Sequence, residues 1–280
     1  MIYTEKKEFL PGEDVSGHVI VSSDNTFNCN RIILKLRGKE YTHYQAGKVH
    51  VTDTHMTLDE DVTIWEGGDI HSGDTRFDFS FKLPEDIPPV HEGVFGMVDY
   101  SVEAVVEINR ALDPKSKMNL IVYAHPPAYI PEKMEQPAIR EEQEHLVAEI
   151  PTDIIRPKKG ILVRFLVKER SRIKGVRLDI AKHEEVTCQG RNLGSTSEVN
   201  QKHVPITYND FDRWIEETVI ADWDKVIPFE GKLIKSSIVL KVVLEIGLSI
   251  DPCIEFPLRL SGERVREDDF FDTIEMDLGW

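Results

Sequence analysis

Two stretches of this chain alternate apolar and polar residues with a period of two, the rhythm of a β-strand with one buried and one wet face. From Val98 the even positions Val98, Tyr100, Val102, Ala104, Val106 and Ile108 are apolar or aromatic, with Asp99, Ser101, Glu103 and Glu107 between them. From Ile238 the even positions Ile238, Leu240, Val242, Leu244, Ile246, Leu248 and Ile250 repeat the pattern. Extended, that second stretch would reach about 43 Å. Each follows a proline-marked loop, LPEDIPPVHEGVFG from Leu83 in one case and Pro228-Phe229 in the other. The arrangement therefore reads as a tandem pattern.

Shorter segments keep the same period: Val15, Gly17, Val19 and Val21; Ile32, Leu34 and Leu36; Phe77, Phe79, Phe81 and Leu83. Turn chemistry separates them at Pro11-Gly12, Asp24-Asn25, Gly67-Gly68, Ser72-Gly73 and Pro84. Long amphipathic helices are scarce, so residues 1–125 read as an antiparallel β-sandwich. From Pro126 to about Ile155 five prolines and many charges replace the alternation, which marks a hinge over 126–155; within it only Arg140 to Leu146 has a helical look. Alternation resumes at Ile161, Val163, Phe165 and Val167 and at Val176, Leu178 and Ile180. The expected fold class is all-β: two tandem antiparallel, immunoglobulin-like sandwiches, 1–125 and 156–262, a proline-rich hinge, and an acidic-aromatic tail over 263–280.

Composition narrows the partners. Fifty acidic against 34 basic residues give a formal charge of −16, which argues against nucleic acid or an anionic membrane surface as a ligand of the bulk field. Cys29, Cys188 and Cys253 lie far apart with no CxxC spacing, as expected of buried thiols in a reducing compartment. The N-terminus has no apolar core, and Lys241 and Glu245 interrupt the longest apolar run. A cytoplasmic chain with no signal peptide and no transmembrane segment is the expectation.

Several segments together resemble the arrestins in the broad sense. They are Leu10-Pro11-Gly12-Glu13-Asp14-Val15-Ser16-Gly17, Ile33-Leu34-Lys35-Leu36-Arg37-Gly38, Phe79-Ser80-Phe81-Lys82-Leu83-Pro84 with Ile87-Pro88, and Gly96-Met97-Val98-Asp99-Tyr100-Ser101-Val102. In the second half Pro228-Phe229, Ser237 and Glu255-Phe256-Pro257-Leu258 are similar to the arrestin C-terminal domain. The order of elements is closest to the α-arrestin and sporulation-control branches. The resemblance implies an arrestin-type fold and a non-catalytic adaptor or scaffold that binds other proteins in trafficking or signalling. No segment matches the phosphate-sensing motif of the visual and β-arrestins.

Enzyme signatures are missing: no GxSxG elbow, no Walker-type loop, no HExxH. His43, His50, His55 and His71 beside Asp59-Glu60-Asp61 are the nearest approach to a metal set, yet His50 and His55 differ in strand parity and would face opposite ways. Surface histidines are the plainer reading, and no cofactor or metal is expected. His183-Glu184-Glu185 could supply an acid–base pair but has no nucleophile nearby, so it reads as a solvated strand end. GRNLGSTS from Gly190 reads as a flexible turn.

Two linear motifs are candidates for partner binding. Pro126-Pro127-Ala128-Tyr129 is a PPxY match: two prolines preset a polyproline II ribbon, and Tyr129 can enter the aromatic groove of a WW domain. In α-arrestins such motifs resemble docking sites for HECT-type ubiquitin ligases, in a tail rather than at a hinge. The plainer alternative is a stiffened linker with Tyr129 packed. In ERVREDDFFDTIEMDLGW, six acidic residues between Glu267 and Asp277 interleave with Phe270, Phe271, Ile274 and Met276 before Trp280. This fits a ligand for a basic groove, a fold-back of the kind arrestin tails make, or a solvated or edge-strand tail. Exposed sheet edges add a binding mode that needs no motif. Rival readings are a prokaryotic sporulation-control-type regulator, and a β-sandwich hydrolase or carbohydrate-binding module. Membrane association is expected only through a partner.

Overall fold

A computed structural model of the chain describes residues 1–109, 112–131, 137–156, 159–168, 172–220, 228–247 and 251–262. The regular structure of the described residues is all strand apart from one 3-10 turn at Tyr208–Asp210. The chain divides into two compact units. The first is Met1–His125 together with Glu184–Ser195 and Phe229–Ser236; the second is Pro126–His183, Thr196–Pro228 and Ser237–Trp280.

In the first unit the strands are β1 (Ile2–Thr4), β2 (Glu8–Phe9), β3 (Asp14–Ser23), β4 (Phe27–Cys29), β5 (Arg31–Ala46), β6 (Val49–Trp65), β7 (Gly68–Ile70), β8 (Gly73–Lys82), β9 (His91–Glu92), β10 (Gly96–Glu107) and β11 (Lys115–Val122). One sheet has the order β1-β3-β8 and the other β2-β11-β10-β5-β6, with β9 beside β10 and a small β4-β7 pair. The alternation places the core. Val98, Tyr100, Val102 and Ala104 pair in antiparallel register with Glu40, Gly38, Leu36 and Leu34. Their apolar side chains meet Val15, Val19, Phe79 and Phe81 from the opposite sheet in one cluster. Two of the glycines read as strand positions, Gly17 and Gly38, mark close approaches: a Cβ on Gly17 would lie 2.1 Å from the Tyr3 carbonyl oxygen, and one on Gly38 2.4 Å from the Tyr100 ring. The proline loop after Leu83 closes the end of this core. Leu83 and Ile87 are buried in it, and Tyr100 Oη donates to the Pro88 carbonyl at 2.6 Å.

Charged residues at odd positions of β5 and β10 meet opposite charges across the sheet, while Ile33, Ser101 and Val105 on the same parity are buried. Arg31 pairs with Glu107 at 2.6 Å, Arg37 with Asp61 at 2.7 Å and Asp59 at 3.1 Å, and Lys39 with Asp99 at 3.5 Å. Such exposed pairs contribute little each but keep the wet face in register.

The strands of the second unit are β12 (Ile139–Glu142), β13 (Leu146–Ile150), β14 (Ile154–Ile155), β15 (Ile161–Val167), most of β16 (Ile173–Cys188) and β17 (Arg191–Pro205), β18 (Trp214–Val219), most of β20 (Ile234–Ile246) and β21 (Cys253–Leu260), with β19 (Phe229–Glu230) preceding β20 in the chain. Its sheets run β12-β13-β15-β18 and β14-β21-β20-β16-β17, with β19 beside β20. The unit boundaries fall inside β16, β17 and β20, whose ends at Glu184–Cys188, Arg191–Ser195 and Ile234–Ser236 belong to the first unit, as β19 does. The second core gathers Val163, Phe165, Leu178, Ile180, Leu240, Val242, Leu244 and Phe256.

Four expectations change here. Residues 139–155, expected inside the hinge, carry β12, β13 and β14, and Leu146, Ala148, Ile150 and Ile155 are buried in the second core. Arg140 to Leu146, which looked helical, is strand, turn and strand, because Leu146, Ala148 and Ile150 keep a two-residue period that the surrounding charges and prolines obscure. The long strand begins at Ile234 and ends at Ile246; Leu248 and Ile250 lie outside the described residues. The Gly190 segment is a tight turn only at Gln189-Gly190, both at positive φ (49° and 76°), after which β17 starts at once. That pair of left-handed residues suits a two-residue hairpin.

Candidate functional site

Two buried carboxylates organise the first unit. Glu40 stands on β5 in the series Ile32, Leu34, Leu36, Gly38, Glu40, Thr42, so strand parity carries it inward, and it is 1% exposed. Its Oε1 accepts the Lys232 backbone N–H at 2.8 Å; Oε2 accepts those of Leu233 at 2.7 Å and Ile234 at 3.0 Å. An ionised carboxylate inside a core is tolerated only when its lone pairs are met in this way. Gly231 makes the approach possible, since a Cβ there would lie 2.6 Å from Glu40 Oε2.

Glu184 is on β16, in step with Val186 and Cys188, and is 3% exposed. Its Oε2 accepts from Ser195 Oγ at 2.7 Å and from the Val94 N–H at 2.8 Å, while Oε1 lies 3.5 Å from His91 Nε2. His91 is itself buried, with Phe229 edge-on at 5.1 Å. Burial alone would push the Glu184 carboxyl up; the hydrogen bonds from His91, Ser195 and Val94 outweigh it and hold the value at about 2. Gly93 and Gly96 admit this carboxylate: a Cβ would come within 2.2 Å and 3.0 Å of its Oε1.

Ser, His and Glu thus meet in one place, but not as a catalytic set. A nucleophilic serine gives its proton to an imidazole that a carboxylate orients. Here Ser195 donates directly to the carboxylate that His91 also faces, so the hydroxyl proton points at Glu184 and not at the imidazole. The expectation of a solvated strand end at His183-Glu184-Glu185 holds for the exposed Glu185 and fails for Glu184. His183 contacts the Thr196 hydroxyl at 3.1 Å, in the second unit.

The Pro126-Pro127-Ala128-Tyr129 segment belongs to the second unit and lies against the end of β21. Pro126 is exposed, Pro127 half-buried, and Tyr129 is 41% exposed. The Ala128 carbonyl accepts the Gly262 N–H at 3.1 Å, and the Ile130 N–H donates to Ser261 Oγ at 2.9 Å. Arg156 donates to Ser261 Oγ and to the Ile130 carbonyl, both at 2.9 Å, and its guanidinium stands 5.3 Å from the centre of the Tyr129 ring.

Residues 1–126 match the family model of the arrestin (or S-antigen) N-terminal domain. The chain is also similar to an arrestin domain-containing protein 17 of Caenorhabditis elegans, 24% identical over 159 residues, which is 51% of this chain and 37% of that protein. The first 126 residues are similar to an arrestin N-terminal domain. The chain spans little more than a third of the length of that curated relative.

Other expected positions fall as follows. His50 and His55 are exposed on β6 at positions of opposite parity, and His43 stacks on Tyr41 at 5.7 Å. Among the described residues no three His, Cys, Asp or Glu side chains gather where a metal ion would sit. Asp59 and Asp61 are engaged by Arg37. A pocket of about 510 Å³ opens at one end of the first sandwich, lined by Val19, Val21, Phe27, Ala104, Val106 and Ile108 among others, and is mainly apolar. Among the described residues no helix is long and apolar enough to cross a membrane. Phe270, Phe271 and Trp280 lie outside the described residues. Neither Glu40 nor Glu184 was among the expected site residues. Their signal was present: each is an acidic residue at the inward parity of an apolar strand.

Proposed function

We propose that this chain is a non-catalytic, cytoplasmic adaptor that binds other proteins in trafficking or signalling, and that Pro126, Pro127 and Tyr129 are its docking motif for a WW-domain partner. The observation that carries the adaptor reading is how the arrestin-like first unit uses its buried charge. Glu40 and Glu184 are both consumed in fixing loops, and the serine and histidine beside Glu184 are not arranged for group transfer. The motif reading is supported by a half-exposed tyrosine two residues after a diproline, a composition that presents side chains at low ordering cost. The tail residues Phe270, Phe271 and Trp280 form a second linear element, suited to a basic groove.

The test is affinity capture with the full chain, with Tyr129→Ala and with a chain ending at Gly262, beside turnover assays on ester, glycoside and phosphate substrates. Partners lost with one of the two variants are the expected result. Turnover that follows the folded protein through size exclusion and thermal unfolding would overturn the adaptor reading.

A further inference from the structure

We infer that the Pro126–Tyr129 motif is a latched docking site, closed by Arg156, Ser261 and Gly262 and open to a WW-type partner only when they release it. The inference rests on the docking-motif reading above and adds its regulation. A WW groove takes a polyproline ribbon by enclosing proline faces and a tyrosine ring. In this protein Pro126 and part of the Tyr129 ring stay exposed, but one face of that ring and the backbone on either side of it are already engaged. The Arg156 guanidinium lies over the Tyr129 ring, 5.3 Å from its centre, the Ala128 carbonyl is bonded to Gly262, and Ile130 is held at both its N–H and its carbonyl. Gly262 packs so closely that a Cβ on it would lie 2.1 Å from the Pro127 carbonyl oxygen.

The latch has a firm base. Ser261 is 1% exposed and donates its backbone N–H to the Ile155 carbonyl at 3.0 Å. Ile154 and Ile155 in turn pair in parallel with Arg259 and Leu260 of β21. Arg156 follows β14 directly, so the pairing of β14 with β21 sets the guanidinium and the Ser261 hydroxyl side by side. One serine oxygen meets both the arginine and the Ile130 N–H, and loss of Arg156 removes three of the latch contacts together.

The experiment uses an isolated WW domain of the PPxY-binding class and measures Kd by titration calorimetry against the full chain, Arg156→Ala, Ser261→Ala, the double variant Arg156→Ala/Tyr129→Ala, and a free peptide of residues 122–131. A latch requires that the peptide bind and that the wild-type chain bind at least about tenfold more weakly. Arg156→Ala should recover most of that difference and Tyr129→Ala abolish it, because affinity falls by the fraction of open molecules. Equal affinity of wild type and both latch variants, with the peptide binding, would overturn the latch while leaving the docking motif in place. A peptide that fails to bind would remove the motif and the latch with it. Hydrogen exchange at the Phe165 and Leu240 amides reports whether each variant keeps the second core, and faster exchange at Ile130 alone is the signature of release.

Discussion

Replacing Glu40 by Gln changes one atom and tests whether a buried charge holds the 229–236 segment. The carboxylate receives three backbone N–H groups on its two oxygens. A glutamine keeps one acceptor oxygen, while its NH₂ can only donate. With the oxygen turned toward Leu233 and Ile234, the amide nitrogen faces the Lys232 N–H and leaves that donor unmet. One orphaned donor costs about 1–3 kcal/mol, and the two remaining bonds fall from charge-assisted, roughly 1.5–3 kcal/mol each, to neutral, roughly 0.5–1.5. Relief from burying a charge offsets part of this, and a net loss of about 3 kcal/mol is expected. Native-state hydrogen exchange by mass spectrometry reads it locally: the amides of Lys232, Leu233 and Ile234 should exchange roughly 150-fold faster. Glu40→Asp, one methylene short of the loop, should fall in the same direction. Exchange within about threefold of wild type at those amides, with unfolding free energy changed by less than about 0.5 kcal/mol, would refute the role given to the charge.

Acid should act through Glu184. Its folded value of about 2 lies below the ordinary carboxylate value of 4.5, so its contribution is complete above about pH 4.5 and is lost as pH falls toward 2. The shift corresponds to about 3 kcal/mol; Glu184→Gln should flatten that part of the stability–pH curve measured by urea titration, and an unchanged slope would contradict the assignment. Gly93→Ala places a methyl 2.2 Å from Glu184 Oε1 and should cost about 2–4 kcal/mol in chemical denaturation, whereas Gly47→Ala, with nothing within 4 Å but a φ of 63°, should cost about 1 kcal/mol. Tyr100→Phe removes the donor to Pro88 and leaves a partly buried carbonyl short of a partner, a loss of about 1 kcal/mol visible as a lower Tm.

The strands were legible because period two survives wherever one face is buried and the other wet, as from Val98 to Val106 and from Ile238 to Ile246. Residues 139–155 were less so. Their strands are short and set among prolines and glutamates, and β12 is exposed throughout, so nothing in its composition separates it from a linker. The polar centres were missed for a different reason. Glu40 and Glu184 continue an apolar parity, but an acidic residue at an inward position has no meaning until a donor is known to face it, and the donors are backbone groups about 190 residues away in one case.

Sequence alone determined the class of this protein: local alternation selects strands, turn residues punctuate them, and the order of motifs points to the arrestins. Only the tertiary structure decided where the chain divides. The hairpin at Glu184–Ser195 and the loop at Phe229–Ser236 belong to the first unit because Val186 and Ile234 are buried in its core and Glu40 and Glu184 bind backbone there. Periodicity reports which face of a strand is dry. It is silent on which core dries it, because any apolar surface of matching shape does so equally well, and the choice is made by contacts between residues far apart in the chain.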